Sequence, residues 1–262
     1  MDKKELTLEE VKQLQLDILQ VVHNFCESNG ICYSLAYGTL IGAIRHKGYI
    51  PWDDDIDIMM PRPDYERFLR TFDGYHPDLS IQDVYKDESY YYTFAKVYNN
   101  KTKYIMFGYE GGVYIDIFPI DGLPNKESLH EFLQQKKKLA SDLWRTAKTY
   151  KYEEENKILV FLKYCVKRII FPSRKKMLAE MREFAQRWSF SNHPLASTDN
   201  NSGKLILPKE YFTETIMLSF EKYEFCCIKE YDAFLKLVYG DYMTPPPENQ
   251  RIPPHNNHIY WK

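Results

Sequence analysis

The chain has 262 residues, enough for one large core or one principal domain with a smaller appendage, and 35 basic against 37 acidic side chains leave a net charge of −2. So even a balance excludes a globally basic nucleic-acid binder; an anionic partner has to be met by a local patch. No apolar run follows the charges at Asp2, Lys3, Lys4 and Glu5, and the longest apolar stretch, near 158–171, carries Lys163, Lys167 and Arg168. Neither a secretory leader nor a membrane span is expected, which points to a cytoplasmic protein.

In chain order, residues 7–28 predict an amphipathic helix, with Val11, Leu14, Ile18, Val22 and Phe25 at helical spacing. Thr7-Leu8-Glu9-Glu10 fits a capping box, and Gly30 fits the stop. A strand over 31–37 runs into Gly38-Thr39, and a short helix over 40–45 ends at Gly48. The segment 52–60 reads as an aspartate-rich strand, and Pro61-Arg62-Pro63-Asp64 starts a helix whose inner face is Tyr65, Phe68, Leu69 and Phe72. Strands are predicted over 81–85, 92–98, 103–106 and 113–120, with turns at Asn99-Asn100 and Gly111-Gly112. Residues 126–190 read as helical, then come a hairpin (215–220 and 223–228), a helix near 230–239 and a proline-rich tail. The implied fold class is α+β with a mixed or largely antiparallel sheet: a core over 1–125, a helical region over 126–195, and a C-terminal hairpin, helix and tail over 196–262. Cys26, Cys32, Cys165, Cys226 and Cys227 form an odd set with no CxxC pair, so reduced, mostly buried thiols are expected.

The most informative residues are Asp53, Asp55 and Asp57. On a strand they would face one way at about 6.5–7 Å spacing, with Ile56 and Ile58 turned to the core. Such a row repels itself unless a cation sits on it. A solvated acidic loop would expose Ile56 and Ile58. An EF-hand loop needs Gly at its sixth position and Glu at its twelfth, where this chain has Ile58 and Asp64, with Pro61 between. A hard divalent ion that also meets substrate phosphates, Mg²⁺ with Mn²⁺ as the alternative, fits best. Asp116, inside the apolar segment 113–118, wants a partner and would complete the cluster if its strand lay beside the first. The alternative for Asp116 is a structural carboxylate paired with Lys or Arg. Gly38-Thr39, just upstream, offers a close backbone approach for phosphate.

Residues 37–58, Tyr-Gly-Thr-Leu-Ile-Gly-Ala-Ile-Arg-His-Lys-Gly-Tyr-Ile-Pro-Trp-Asp-Asp-Asp-Ile-Asp-Ile, resemble the signature of the LicD family of phosphocholine transferases, which is similar to the fukutin-type polyol-phosphate transferases. The likeness extends to Phe94-Ala95-Lys96-Val97, to residues 114–122, and to residues 239–243 with their following prolines. It implies a nucleotidyltransferase-like fold in which Gly38 and Thr39 contact phosphate, and Asp55 and Asp57 hold the metal with help from Asp53 and Asp116. An aspartate then serves as base. It further implies transfer of phosphocholine from CDP-choline to a hydroxyl of a glycan precursor, with release of CMP. Transfer of ribitol or glycerol phosphate, nucleotidyl transfer from an NTP, and a silent nucleotide-binding scaffold are the alternatives.

Arg45 and Lys96 are candidates for neutralising phosphate, with a solvated charge as the plainer reading of each. Tyr37, Trp52, Tyr104 and Tyr114 are near enough in sequence to offer aromatic faces to a quaternary ammonium. The basic, apolar run over 157–176 suits an anionic membrane face, where a lipid-linked acceptor would be met, or else an ordinary core helix with a basic outer side. His46, His255 and His258 are read mainly as loop or surface histidines.

Overall fold

The computed structural model describes residues 4–83, 85, 86, 90, 92–106, 109–146, 174–198, 205–253 and 258–262. Thr7 starts α1 (Leu8–Asn29): its hydroxyl accepts from Glu10 N at 3.2 Å while the Glu10 carboxylate accepts from Thr7 N at 2.9 Å. Reciprocal capping satisfies two amides that a helix start otherwise leaves bare. Gly30 ends the helix at φ 58°, a left-handed conformation that glycine adopts without a Cβ clash. Ile18, Leu19, Val22 and Phe25 form its buried stripe, and Phe25 stands 5.1 Å from Phe72 and 5.8 Å from Phe68. That aromatic contact clamps α1 to α3 (Arg62–Thr71).

The central sheet runs β1 (Ser34–Leu35), β2 (Asp57–Pro61), β7 (Tyr114–Leu123), β4 (Ala95–Asn99) and β3 (Leu79–Gln82). β2 and β7 are parallel and the other neighbours antiparallel, so the sheet is mixed. The far end of β7 pairs with β8 (Leu195–Ser197), which pairs with β9 (Leu207–Pro208). Leu35, Ile58, Ile117 and Ala95 are consecutive register partners and all are fully buried, making one row of the core. α4 (Lys126–Thr146) and α5 (Arg174–Gln186) close a smaller cluster in which the Phe132 and Phe184 rings stack at 4.6 Å over Leu123.

The hairpin of β10 (Thr215–Phe220) and β11 (Tyr223–Ile228) falls on the expected residues, as does α6 (Tyr231–Tyr239). Other expectations are corrected. The strand after α1 shrinks to two residues, because α2 (Tyr37–Ile41) begins at once and passes into a π-helical turn (Gly42–His46) that Lys47 ends in the left-handed region. Four short strands escaped notice: β8 and β9, and also β6 (Tyr109–Gly111) and β12 (Tyr260–Trp261), which flank β5 (Thr102–Met106) in a separate antiparallel sheet. Most of the basic run, 157–173, together with Cys165 and His255, lies outside the described residues.

Candidate functional site

The parallel register of β2 and β7 sets Asp57 opposite Asp116, and the antiparallel register of β7 and β4 sets Asp116 opposite Lys96. Register partners point to the same sheet face, so Asp57, Asp116 and Lys96 form one charged row across three strands. Lys96 is 1% exposed and its ammonium is ion-paired with an Asp116 oxygen. This corrects the reading of Lys96 as a solvated charge. Its ammonium lies 3.5 Å from the centroid of Tyr114 and 4.7 Å from that of Tyr92, rings that replace part of the lost hydration.

Asp53 and Asp55 do not share the strand. β2 starts at Asp57, and residues 53–56 are an irregular approach to it, a correction to the expected single row of three carboxylates. The reason is pairing: a turn folds Asp53 N back to Ile50 O at 2.9 Å, and Asp54 N bonds to the Asp53 carboxylate. Pairing with β7 begins only at Asp57, and pairing with β1 one residue later at Ile58. Gly38 and Thr39, in the first turns of α2, act directly on this approach. A Cβ at position 38 would stand 2.6 Å from Asp53 Oδ2, so glycine is what lets that carboxylate in. The buried Thr39 hydroxyl accepts from Asp57 N at 2.9 Å and fixes the start of β2.

Electrostatically the cluster is overloaded. Burial pushes the Asp57 carboxyl well above the ordinary range, and Asp55, Asp116 and Asp53 push it further, with Lys96 opposing. Asp53 is raised by burial and by Asp54, against hydrogen bonds with Asp55 and Asp54 N and the charge of Lys12. Burial lowers the Lys96 ammonium despite the pull of Asp116, Asp57 and Asp55. One carboxylate oxygen each from Asp53, Asp54 and Asp55 lie within 4.8 Å of one another, which adds Asp54 to the expected set. All three are hard oxygen donors of the kind a divalent cation of the Mg²⁺ class takes; Asp57 and Asp116 stand outside that close group and act on it through their charge, with Lys96 and Lys12 opposing.

Residues 30–182 match the family described as LicD/FKTN/FKRP, nucleotidyltransferase domain. The chain belongs to this family. It is 33% identical over 263 residues to the lipopolysaccharide cholinephosphotransferase LicD of Haemophilus influenzae, covering 98% of this chain and 99% of that protein. It is also 39% identical over 66 residues to an uncharacterized protein of Rickettsia typhi, covering 25% of this chain and 21% of that one. A third match, again 39%, spans 71 residues of an uncharacterized Rickettsia prowazekii protein, 26% of this chain and 27% of that one.

In this LicD-family chain the remaining sequence candidates divide. Arg45 is half-buried: it donates to Tyr242 O and to His46 Nε2, and the Arg251 guanidinium lies within electrostatic reach. Arg251 itself stands 5.2 Å over the Trp52 ring, next to Asp53, and donates to Pro246 O at 2.9 Å. Sequence reading missed Arg251, because only the fold returns residue 251 to residue 52. It also missed Tyr239, 46% exposed at the end of α6 and within electrostatic reach of Asp57, Asp53 and Asp55. Tyr104 and Tyr114 are buried, which removes them as ligand walls, and His258 pairs with Glu5. Cys26, Cys226 and Cys227 are buried, Cys32 is exposed and all four are unbridged; burial and Glu27 push the Cys226 thiol up to about 11, far from a thiolate nucleophile.

Proposed function

We propose that the chain transfers phosphocholine from CDP-choline to a hydroxyl of a cell-surface glycan precursor, of lipopolysaccharide or teichoic-acid type, and releases CMP. The observation carrying this reading is the register that sets Asp57 opposite Asp116, a carboxylate pair with Lys96 as its buried cation, in a chain similar end to end to a lipopolysaccharide cholinephosphotransferase.

Asp53, Asp55, Asp57 and Asp116 would hold Mg²⁺, which when bound neutralises charge on the donor's diphosphate. Thr39 and Gly38 keep Asp57 and Asp53 in place, and Lys96 holds Asp116 in one orientation. The acceptor oxygen bonds to the phosphorus bearing choline, the bond from that phosphorus to its bridging oxygen breaks, and CMP departs with the electron pair. Asp55, half-buried at the approach to β2, takes the hydroxyl proton. Arg45 and Arg251, which have no buried carboxylate partner among the described residues, neutralise the departing phosphate.

Purified protein is incubated with Mg²⁺, a deacylated lipopolysaccharide acceptor, and CDP-choline, CDP-ribitol or CDP-glycerol in parallel, and CMP is followed by chromatography. CMP with phosphocholine on the acceptor is expected from CDP-choline. Pyrophosphate from an NTP instead would make it a nucleotidyltransferase, the second reading that the family's domain description supports.

No helix among the described residues is long and apolar enough to cross a membrane. A lipid-linked acceptor would bring the basic run over 157–176 to an anionic membrane face. Liposome flotation should then weaken at least several-fold when Lys163, Lys167 and Arg168 become Glu, and unchanged flotation would dismiss that contact.

A further inference from the structure

Beside the charged row lies a second row on the same sheet face. Phe118 follows Asp116 by two residues on β7, and Phe94 precedes Lys96 by two, one residue before β4. Their ring centroids are 4.3 Å apart. Tyr37 stands edge-on to Phe118 at 5.2 Å and 85°, and Tyr92 continues the wall at 5.0 Å from Phe94. All four rings are half-buried, keeping part of their surface open, whereas Phe68, Phe225 and Phe234 are wholly buried. Single partly open aromatics are ordinary; four in contact, next to a carboxylate cluster, make a surface that a ligand can cover.

Two further observations give that ligand its chemistry. Tyr37 has φ 45°, a left-handed conformation that L side chains avoid at a cost of about 1–3 kcal/mol, and its hydroxyl is anchored on Thr198 O at 3.1 Å. Strain of this kind persists only where neighbours impose it, here the anchor on Thr198 and the packing of the ring on Phe118. Moreover, this wall already receives an ammonium, since Lys96 Nζ lies 4.7 Å from the Tyr92 centroid and 5.4 Å from that of Phe94. The buried side of the wall therefore works as a cation surface.

We propose that the outer faces of Phe94 and Phe118, with Tyr37 as side wall, seat the quaternary ammonium of the donor and make it the preferred headgroup over a neutral polyol. The assignment rests on the CDP-alcohol reading above. A trimethylammonium has no N–H to donate, so hydrogen-bonding groups cannot hold it and aromatic faces can. A polyol needs donors and acceptors, which Phe94 and Phe118 lack. One strand repeat, about 6.5–7 Å, separates this row from the carboxylates, of the order of the two-carbon link between phosphate and ammonium.

Isothermal titration calorimetry with CDP-choline and with CDP, in Mg²⁺, tests this on wild type, Phe94→Leu and Phe118→Leu. Leucine keeps apolar bulk and removes the ring face. Wild type should bind CDP-choline at least tenfold more tightly than CDP. Each variant should lose most of that margin, five- to tenfold, while CDP affinity stays within twofold, which also reports an intact fold. Variants that keep the full margin overturn the wall assignment and leave the donor reading standing. A wild type with no preference for CDP-choline over CDP overturns the donor reading, and the wall with it.

Discussion

The two ends of the β2–β7 pair treat charge in opposite ways. At the start of β2, Asp57, Asp116, Asp55 and Asp53 crowd together with Lys96 as the buried cation. At its far end, Arg62 Nε donates to Asp121 at 2.6 Å and Nη1 to Glu66 at 3.3 Å, while Glu66 also accepts from Arg182 at 3.0 Å and Gln186 at 2.9 Å. Two guanidiniums meet two carboxylates there, tying α3 and α5 to β7. The Arg62 guanidinium is held above its ordinary range by Asp121 in spite of burial. A closed, balanced network is architecture; an acid-rich one on the same two strands is the candidate site.

Breaking the balanced end should cost the most stability. Arg62→Ala leaves Asp121 and Glu66 buried without their main partner, and chemical denaturation should show a loss of about 3–5 kcal/mol. Turnover per folded molecule should stay within a few-fold of wild type, because Arg62 lies at the opposite end of β2 from Asp57.

The overloaded end should respond the other way. Asp116→Asn should lower CMP release on the order of 10²–10³-fold, a size typical of losing one group that stabilises transition-state charge, and should lower the melting temperature in chelator less than Arg62→Ala does, because Asp57 and Asp55 still face the Lys96 ammonium that it leaves. A smaller and more telling effect is expected from Asp57→Asn. With no metal bound, removing a carboxylate that its neighbours disfavour should stabilise the fold by about 1 kcal/mol, roughly 2–4 °C at this chain length. Its pH dependence has a definite sign. The folded-state pKa of Asp57 lies above the unfolded value, so the wild type binds this proton more readily when folded, and its handicap grows as pH rises through that window. Melting curves in chelator should therefore show the advantage of the variant growing as pH rises through the raised folded-state pKa and fading as pH falls towards the ordinary carboxylate pKa.

Much of this contrast was legible before any coordinates. The capped α1, the helix start at Pro61-Arg62-Pro63-Asp64 and the hairpin over 215–228 follow from local rules, because capping, proline and alternation act within a few residues. A polar residue in an apolar strand singled out Asp116, and the structure sets it beside Asp57. What stayed hidden is register and return. Lys96 looks like any surface lysine until β4 is aligned with β7. Arg62 and Asp121 are 59 residues apart, and Arg251 reaches Trp52 only through the C-terminal wrap. The run Asp53 to Asp57 misled by its alternation, which is necessary for a strand but insufficient where no neighbouring strand is present to pair with it.

We propose that the Asp57 end of the β2–β7 pair is assembled around a divalent cation. Titration calorimetry of Mg²⁺ into chelator-stripped protein tests it most directly, with Asp57→Asn and Asp116→Asn alongside. Saturable binding to wild type and its loss in both variants, with their folds intact by circular dichroism, is the expected result. Equal binding by all three proteins, or none by wild type even with CDP present, would contradict it.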